Sequence, residues 1–155
     1  MAAQRAAELL LSAANARRLR AMGAVEAGRE HYRWIVGLHA AFLLSLAAEG
    51  AASRPPAAWP WVLALFALAQ ALRYWAIAAL GRRWTTRVWV LPGASLVRRG
   101  PYRFLRHPNY VAVMAEFVAA PLAAGAYLTL LVFAPLNAWL LWRVRIPAEE
   151  AALGG

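Results

Sequence analysis

The feature that most constrains this chain is a long apolar run, WPWVLALFALAQALRYWAIAAL, from Trp59 to Leu80. A helix needs about 20 such residues to cross the hydrocarbon core of a bilayer, and this run has that length. The composition agrees, because 63% of the residues are hydrophobic, whereas soluble proteins average roughly 45–50%. The sequence therefore predicts an integral membrane protein.

Three more apolar segments accompany this run: WIVGLHAAFLLSLAAEG from Trp34, a segment from Tyr110 to about Ala123, and AYLTLLVFAPLNAWLLW from Ala126 to Trp142. The last two are together too long for one span, and Pro121 and Gly125 can turn the chain between them. We therefore predict an all-α fold with about four transmembrane helices, the last two forming a helical hairpin. The N-terminal segment, MAAQRAAELLLSAANARRLR, predicts an amphipathic helix that lies on the membrane surface.

The charges of the loops predict the orientation of the spans. The loop from Gly81 to Pro108 has no acidic residue, and its basic residues are Arg82, Arg83, Arg87, Arg98, Arg99, Arg103 and Arg106. Cytoplasmic loops of membrane proteins carry the excess of arginine. We therefore expect this loop to be cytoplasmic, and four spans place both termini there too, at the inner membrane if the protein is bacterial.

The overall charge and the cysteine count narrow the classes of function. A formal net charge of +10 is compatible with nucleic acid or with an anionic membrane as partner. Because spans separate the arginines, we expect membrane lipid and no nucleic acid. Cysteine is absent, which excludes disulfides and thiolate metal sites, and we predict no metal site. We expect a single membrane domain, with an interfacial helix and linker at 1–30, the first spans at 31–69 and a core at 70–155; the sequence does not indicate an oligomeric state.

Polar residues occur in the spans and at the predicted cytoplasmic surface. Gln70 and Arg73 share one face of the second span, and Glu116 lies about two turns into the third, so that a pair of Arg73 and Glu116 would neutralise both charges. At the surface, the segments GPYRFLRHPNY and RVRIPAEEAAL fall on the same side of the membrane. Two polar clusters that converge there predict a functional site.

The two surface clusters follow a known pattern. GxYRFxRHPxYxxxxxE followed by RxxxEE resembles the isoprenylcysteine carboxyl methyltransferase family, whose members are small integral membrane enzymes that use S-adenosylmethionine. The resemblance extends from Gln70 to Leu153. It implies that Arg145 binds the acceptor, and from the chemistry of the reaction we expect Arg145 and Glu150 to take part in catalysis. It also implies that S-adenosylmethionine is held by Ala94, Ser95, Leu96, Val97, Tyr102, His107, Pro108, Asn109, Tyr110 and Glu149.

The N-terminal part of the chain resembles a bacterial branch of this family that is associated with type III polyketide synthases. The resemblance implies a lipophilic acceptor, either the hydroxyl of an alkylresorcinol or alkylpyrone, or a prenylcysteine-like carboxylate. A carboxylate needs no base, whereas a phenol has a pKa near 10, and His107 or Glu150 can take its proton. Arg87 stands where the family has a glutamine, Ala94 where it often has a histidine, and Pro147 is expected to bend the helix between Arg145 and Glu149.

Two other classes of function remain open from the sequence. In a non-enzymatic membrane subunit or a small transporter, the buried polar residues would only bind helices to one another. A lipid reductase with a nicotinamide cofactor shares the C-terminal helical layout, although the RxxxEE ending argues against it.

Overall fold

The structure is a computed structural model that describes residues 1–54 and 59–154. Residues 55–58, in the loop that the sequence predicts between the first two spans, and residue 155 lie outside the described residues. The elements in chain order are α1 (Ala2–Ala21), β1 (Val25–Ala27), α2 (Arg29–Ala52), α3 (Trp59–Leu80), β2 (Val88–Val90), α4 (Pro108–Ala124), α5 (Tyr127–Leu140) and α6 (Ile146–Gly154).

The helices confirm the predicted all-α membrane fold. Three helical stretches are long and apolar enough to cross a membrane, at Arg29–Ala52, Pro60–Arg83 and Tyr127–Leu153. The remaining predicted span, the third in chain order, is α4, a shorter apolar helix of 17 residues, which lies at the lower end of the range of about 17–25 residues for spanning helices.

The turn between α4 and α5 confirms the predicted hairpin. Gly125 ends α4 with a φ of 70°, a left-handed conformation that glycine adopts without strain. A Cβ atom at this position would lie 2.4 Å from the carbonyl oxygen of Arg54, so a larger residue would push the two segments apart. Glu49 of α2 then accepts hydrogen bonds from the backbone N–H groups of Leu128 and Thr129, at 2.8 and 2.7 Å. The carboxylate thus caps the N-terminus of α5.

Aromatic side chains from three helices form the centre of the apolar core. Phe42 of α2 stacks on Phe117 of α4 with ring centroids 4.0 Å apart, and its other neighbour, Phe133 of α5, packs edge-on at 5.9 Å. Tyr110 and Leu141 belong to the same buried cluster. The core therefore extends along α4 up to the polar residues at its N-terminus.

The N-terminal segment is helical, as predicted, but the face of α1 that packs against the protein is its polar one. Glu8, Ser12, Asn15 and Leu19 are buried, and Leu10 is 74% exposed. The structure contains no membrane, so the expected position of α1 on the membrane surface stays a prediction.

A short antiparallel ribbon joins the N-terminal part of the chain to the arginine-rich loop. Strand β1 pairs with β2, with Glu26 opposite Trp89. Arg87 forms a salt bridge with Glu26 at 2.6 Å and lies over the ring of Tyr32 at 4.2 Å. The arginine that replaces the family's glutamine therefore holds the loop against the N-terminal segment.

Candidate active site

The RHPNY segment forms the mouth of α4. His107 is the residue before the helix and Pro108 its first residue, where the missing N–H of proline is not needed and its fixed φ favours the helix. A 3-10 turn at Gly100–Arg103 precedes this junction. Gly100 has a φ of 58°, and a Cβ there would lie 2.9 Å from the Cβ of Ala79. The loop therefore packs tightly on α3, which fixes the position of Tyr102.

The RxxxEE segment reaches the same place from the other end of the fold. A π-helical turn at Leu141–Arg145 follows α5, and the backbone continues from it into α6 in helical conformation at Ile146. Arg145 and Glu149 therefore lie on one continuous helical stretch that contains Pro147, and the bend expected at this proline stays a prediction. Single π-helical turns inside helices occur frequently at functional sites, because they rotate the residues that follow them.

Direct contacts join the two segments. The hydroxyl of Tyr110 donates a hydrogen bond to Glu149 and accepts one from Nε of Arg145 at 3.1 Å. His107 Nε2 lies 3.1 Å from Glu150 Oε1, and His107 Nδ1 lies 3.8 Å from Glu149 Oε1. The rings of His107 and Tyr110 stack with centroids 5.4 Å apart. Residues separated by about forty positions in sequence thus form one cluster that contains both carboxylates.

Arg145 is the buried cation of this cluster. Only 6% of the residue is exposed. Its Nη2 donates to the backbone carbonyl of Thr86 at 2.7 Å, and within the described residues its Nη1 donates to no protein group. The guanidinium is therefore fixed on two sides, and one nitrogen is left for a further oxygen.

Thr86 is a contact that the sequence did not indicate. Its backbone N–H donates to Ser12 Oγ at 2.9 Å, and its hydroxyl lies 2.9 Å from Ser12 Oγ and 3.0 Å from the hydroxyl of Tyr32. Its carbonyl oxygen holds Arg145. Every polar group of Thr86 is thus engaged, and α1 and α2 support the site through this residue.

Two more of the predicted cofactor residues lie at the cluster. Burial raises the pKa of Tyr102, and the charge of the Glu149 carboxylate raises it further, which places this phenol beside Glu149. The side-chain Oδ1 of Asn109 is buried and has no hydrogen-bond partner among the described residues. A buried acceptor without a donor, next to Tyr110 in the chain, fits a bound molecule that supplies one.

The strip from Ala94 to Val97 lies apart from these contacts. Ser95, Leu96 and Val97 line an open cavity of about 440 Å³, together with Leu80 and the side chains of Arg83, Arg98 and Arg99. Arg83 Nη1 donates to the carbonyl of Ser95 at 2.9 Å. Among the described residues, no hydrogen bond links this strip to His107 or Glu149, so its place in the site rests on the resemblance.

The pair predicted inside the spans is confirmed and is part of a larger network. Arg73 Nη1 lies 3.4 Å from Glu116, and the same guanidinium donates two shorter bonds, of 2.7 and 2.6 Å, to Glu8 of α1. Arg5 binds both Glu8 and Glu116, and Gln70 donates to Glu116 at 2.7 Å. These charges neutralise one another, so the network accounts for them structurally.

Comparison with known proteins agrees with this geometry. The model of the isoprenylcysteine carboxyl methyltransferase (ICMT) family matches residues 62–154. The chain belongs to the isoprenylcysteine carboxyl methyltransferase family. This is a family of methyltransferases, and its membership together with the apolar helices makes the chain an integral membrane protein of methyltransferase type.

The relatives found are themselves uncharacterised. The chain is 41% identical to the uncharacterised protein YpbQ of Bacillus subtilis (strain 168) over 152 residues, which are 97% of this chain and 90% of that protein. It is 33% identical to an uncharacterised protein of Haemophilus influenzae over 92 residues, covering 59% of this chain and 53% of that protein. No solved structure matches the chain.

Proposed function

We propose that the protein is an S-adenosylmethionine-dependent O-methyltransferase that acts on a lipophilic acceptor at the membrane. The observation that carries this proposal is the direct contact of Tyr110 with both Glu149 and Arg145, which are the residues that the resemblance assigns to the cofactor and to the acceptor. In this proposal the carboxylate of Glu149 binds the cationic cofactor, and the guanidinium of Arg145 binds the acceptor oxygen.

The residues fit the cofactor by charge. S-adenosylmethionine has a cationic sulfonium and a cationic amino group, and Glu149 places a carboxylate beside the stacked rings of His107 and Tyr110. The buried, unpartnered Oδ1 of Asn109 can accept a hydrogen bond from the cofactor. When bound, the cofactor supplies an electrophilic methyl group.

The chain's own residues prepare the acceptor. Methyl transfer from a sulfonium to an oxygen anion removes charge, so a site that excludes water favours the reaction over the separated ions. Arg145 is buried and is held by the hydroxyl of Tyr110 and the carbonyl of Thr86, and its Nη1 is available to hold the acceptor oxygen as an anion. Its positive charge lowers the pKa of a phenolic acceptor. Glu150, whose side chain is 37% exposed, takes the proton and passes it to water.

The acceptor is proposed as an alkylresorcinol or alkylpyrone hydroxyl, or as a prenylcysteine-like carboxylate. A lipid-like molecule enters from the bilayer and places its head group at the mouth of α4, whereas the polar cofactor arrives from the aqueous side. The position of the cluster at the end of apolar helices suits substrates that come from two solvents.

Calorimetry with S-adenosylhomocysteine tests the cofactor. We expect the purified wild type to bind it, and Glu149→Gln to lose binding. Glu30→Gln is the matched control, because the Glu30 side chain is 71% exposed. Absence of binding to the wild type would favour the alternative, a non-enzymatic membrane subunit or a small transporter.

Methylation assays test the acceptor. The transfer of a labelled methyl group to alkylresorcinols, alkylpyrones and prenylcysteine analogues is measured in membranes that contain the protein. Of these acceptors, only the phenolic compounds need a base. Glu150→Gln is therefore expected to reduce activity with the phenolic compounds, whereas activity with the carboxylate compounds is expected to persist in that variant.

A further inference from the structure

Helix α1 has the surface of a helix that faces lipid. From Ala2 to Ala14, every exposed residue is alanine or leucine, and the inward residues include Glu8 and Ser12. The exposed fractions of Leu9, Leu10 and Leu11 are 47%, 74% and 43%. A helix in contact with water places its polar residues outward, and α1 does the opposite over this stretch.

The charges on α1 that oppose insertion are neutralised inside the protein. Glu8 binds the guanidinium of Arg73 in α3, and Arg5 binds Glu116 in α4. Gln4 donates to Gln70 at 2.7 Å. Ionisable residues are tolerated at membrane depth when they face the bundle interior and are paired. The polar residues of α1 therefore do not exclude it from the bilayer.

The contacts of α1 show how far it extends along the bundle. Glu8 contacts Arg73, and Asn15 donates to the carbonyls of Gly81 and Trp84, so α1 and α3 run in the same direction. The helix has 20 residues and is therefore about 30 Å long, which is close to the thickness of the hydrocarbon core, about 30 Å.

The two ends of α1 lie in different surroundings. At its start, Met1 lines an apolar pocket with Leu46, Leu63, Phe66, Ala120, Ala123 and Ala124. These residues belong to the half of the bundle that is away from the arginine-rich loop. At its other end, Arg17, Arg18 and Arg20 are exposed, on the side of that loop. This distribution of charge is the one that the positive-inside rule predicts for a membrane helix.

We propose that α1 is embedded in the bilayer beside α3, with its leucine face on lipid acyl chains and its N-terminal residues directed to the face opposite the arginine-rich loop. This replaces the position expected from the sequence, a surface helix with a cytoplasmic N-terminus. The partner of the exposed face is lipid, because before Arg17 that face consists of alanine and leucine and carries no charge. The proposal does not depend on the enzymatic activity.

Cysteine labelling tests this topology, because the chain contains no cysteine. The variants Ala3→Cys, Leu10→Cys and Ala21→Cys alter exposed positions, so they are compatible with the fold. Each is treated with a membrane-impermeant maleimide in intact bacterial cells and in inverted membrane vesicles. We expect Ala21→Cys to react only in inverted vesicles, Leu10→Cys to react in neither before detergent is added, and Ala3→Cys to remain unreactive in inverted vesicles.

A spin label distinguishes lipid from a dry protein interface. With a nitroxide on Leu10→Cys in reconstituted liposomes, we expect relaxation by oxygen to exceed relaxation by a water-soluble nickel chelate, and the order to reverse on Ala21→Cys. Rapid maleimide labelling of Ala3→Cys or Leu10→Cys in inverted vesicles, or a higher accessibility of Leu10→Cys to nickel than to oxygen, would overturn the proposal and return α1 to the aqueous surface.

Discussion

Removal of one hydroxyl group, in Tyr110→Phe, is the most informative perturbation of the site. This hydroxyl donates to Glu149 and accepts from Nε of Arg145, so it is the atom that joins the RHPNY segment to both residues of the RxxxEE segment. Tyr110 is 9% exposed, and therefore water does not readily replace the lost group. The phenyl ring of the variant keeps its place against Phe117 and Leu141 in the core cluster.

The structure gives the size of the expected effect. A hydrogen bond to a charged group contributes about 1.5–3 kcal/mol. If the loss of one such bond is felt in the transition state, kcat/KM falls by roughly 10- to 150-fold. The second bond shares the same oxygen and the two effects are not additive, so we expect the observed loss to remain within this range.

The assay is methyl transfer to whichever acceptor the screen identifies, together with the affinity for S-adenosylhomocysteine. Tyr127→Phe is the matched control, because Tyr127 is 49% exposed at the start of α5. Thermal unfolding of both variants in detergent shows whether the fold is retained. A kcat/KM of Tyr110→Phe within about threefold of the wild type, less than 1 kcal/mol, would refute the argument that this hydroxyl links the two halves of the site.

Three further predictions concern the supports of the site. Glu116→Ala is expected to lower the free energy of unfolding by about 3–5 kcal/mol, because it leaves the buried Arg73 and the partly buried Arg5 with the single carboxylate of Glu8; thermal unfolding measures this, and the neutral double variant Arg5→Gln/Glu116→Gln should recover most of the loss. Ser12→Ala is expected to raise the KM for the acceptor and leave the affinity for S-adenosylhomocysteine unchanged, because it loosens Thr86, which holds Arg145; Ser12→Thr should restore the KM, and an equal loss of cofactor affinity would contradict a positioning role. Burial and Glu149 raise the pKa of Tyr102 in the folded protein. The pKa of tyrosine in the unfolded chain is about 10, and above this pH the unfolded chain ionises first, so the folded protein loses stability as the pH rises. Melting temperatures from about pH 9 to about pH 11 should therefore fall less steeply in Tyr102→Phe than in the wild type, and identical slopes would count against this.

The spans and the hairpin could be predicted from the sequence because each depends on residues that are close together in the chain. The apolar run that forms α3 is continuous, and Gly125 marks a turn that the structure shows with a positive φ. The meeting of His107 with Glu150 followed from a topological argument, since both segments were placed on one side of the membrane. Each of these inferences used information within one segment or the order of the segments.

The position of α1 was not predictable in the same way. Its polar residues indicated water, and their partners lie far along the chain: Glu8 and Arg73 are 65 positions apart, and Arg5 and Glu116 are 111 apart. A hydropathy argument places charged residues in water, whereas in the structure the charges of α1 are paired inside the bundle. The role of Thr86 was not predicted for a different reason. Thr86 holds Arg145 through its backbone carbonyl, a group that every residue has, so the residue type gives no indication of it.

The position of α1 and the role of Thr86 are connected, because α1 contacts Thr86. The family model begins at residue 62, yet Ser12 of α1 and Tyr32 of α2 fix Thr86, and Thr86 fixes the guanidinium that is proposed to hold the acceptor. The N-terminal part therefore reaches the residue that is proposed to hold the acceptor, whereas among the described residues no hydrogen bond links it to His107, Tyr110 or Glu149. It follows that changes in the first thirty-two residues should alter which acceptor is used and leave the methyl donor unaffected, and that the full chain is the unit in which specificity has to be measured.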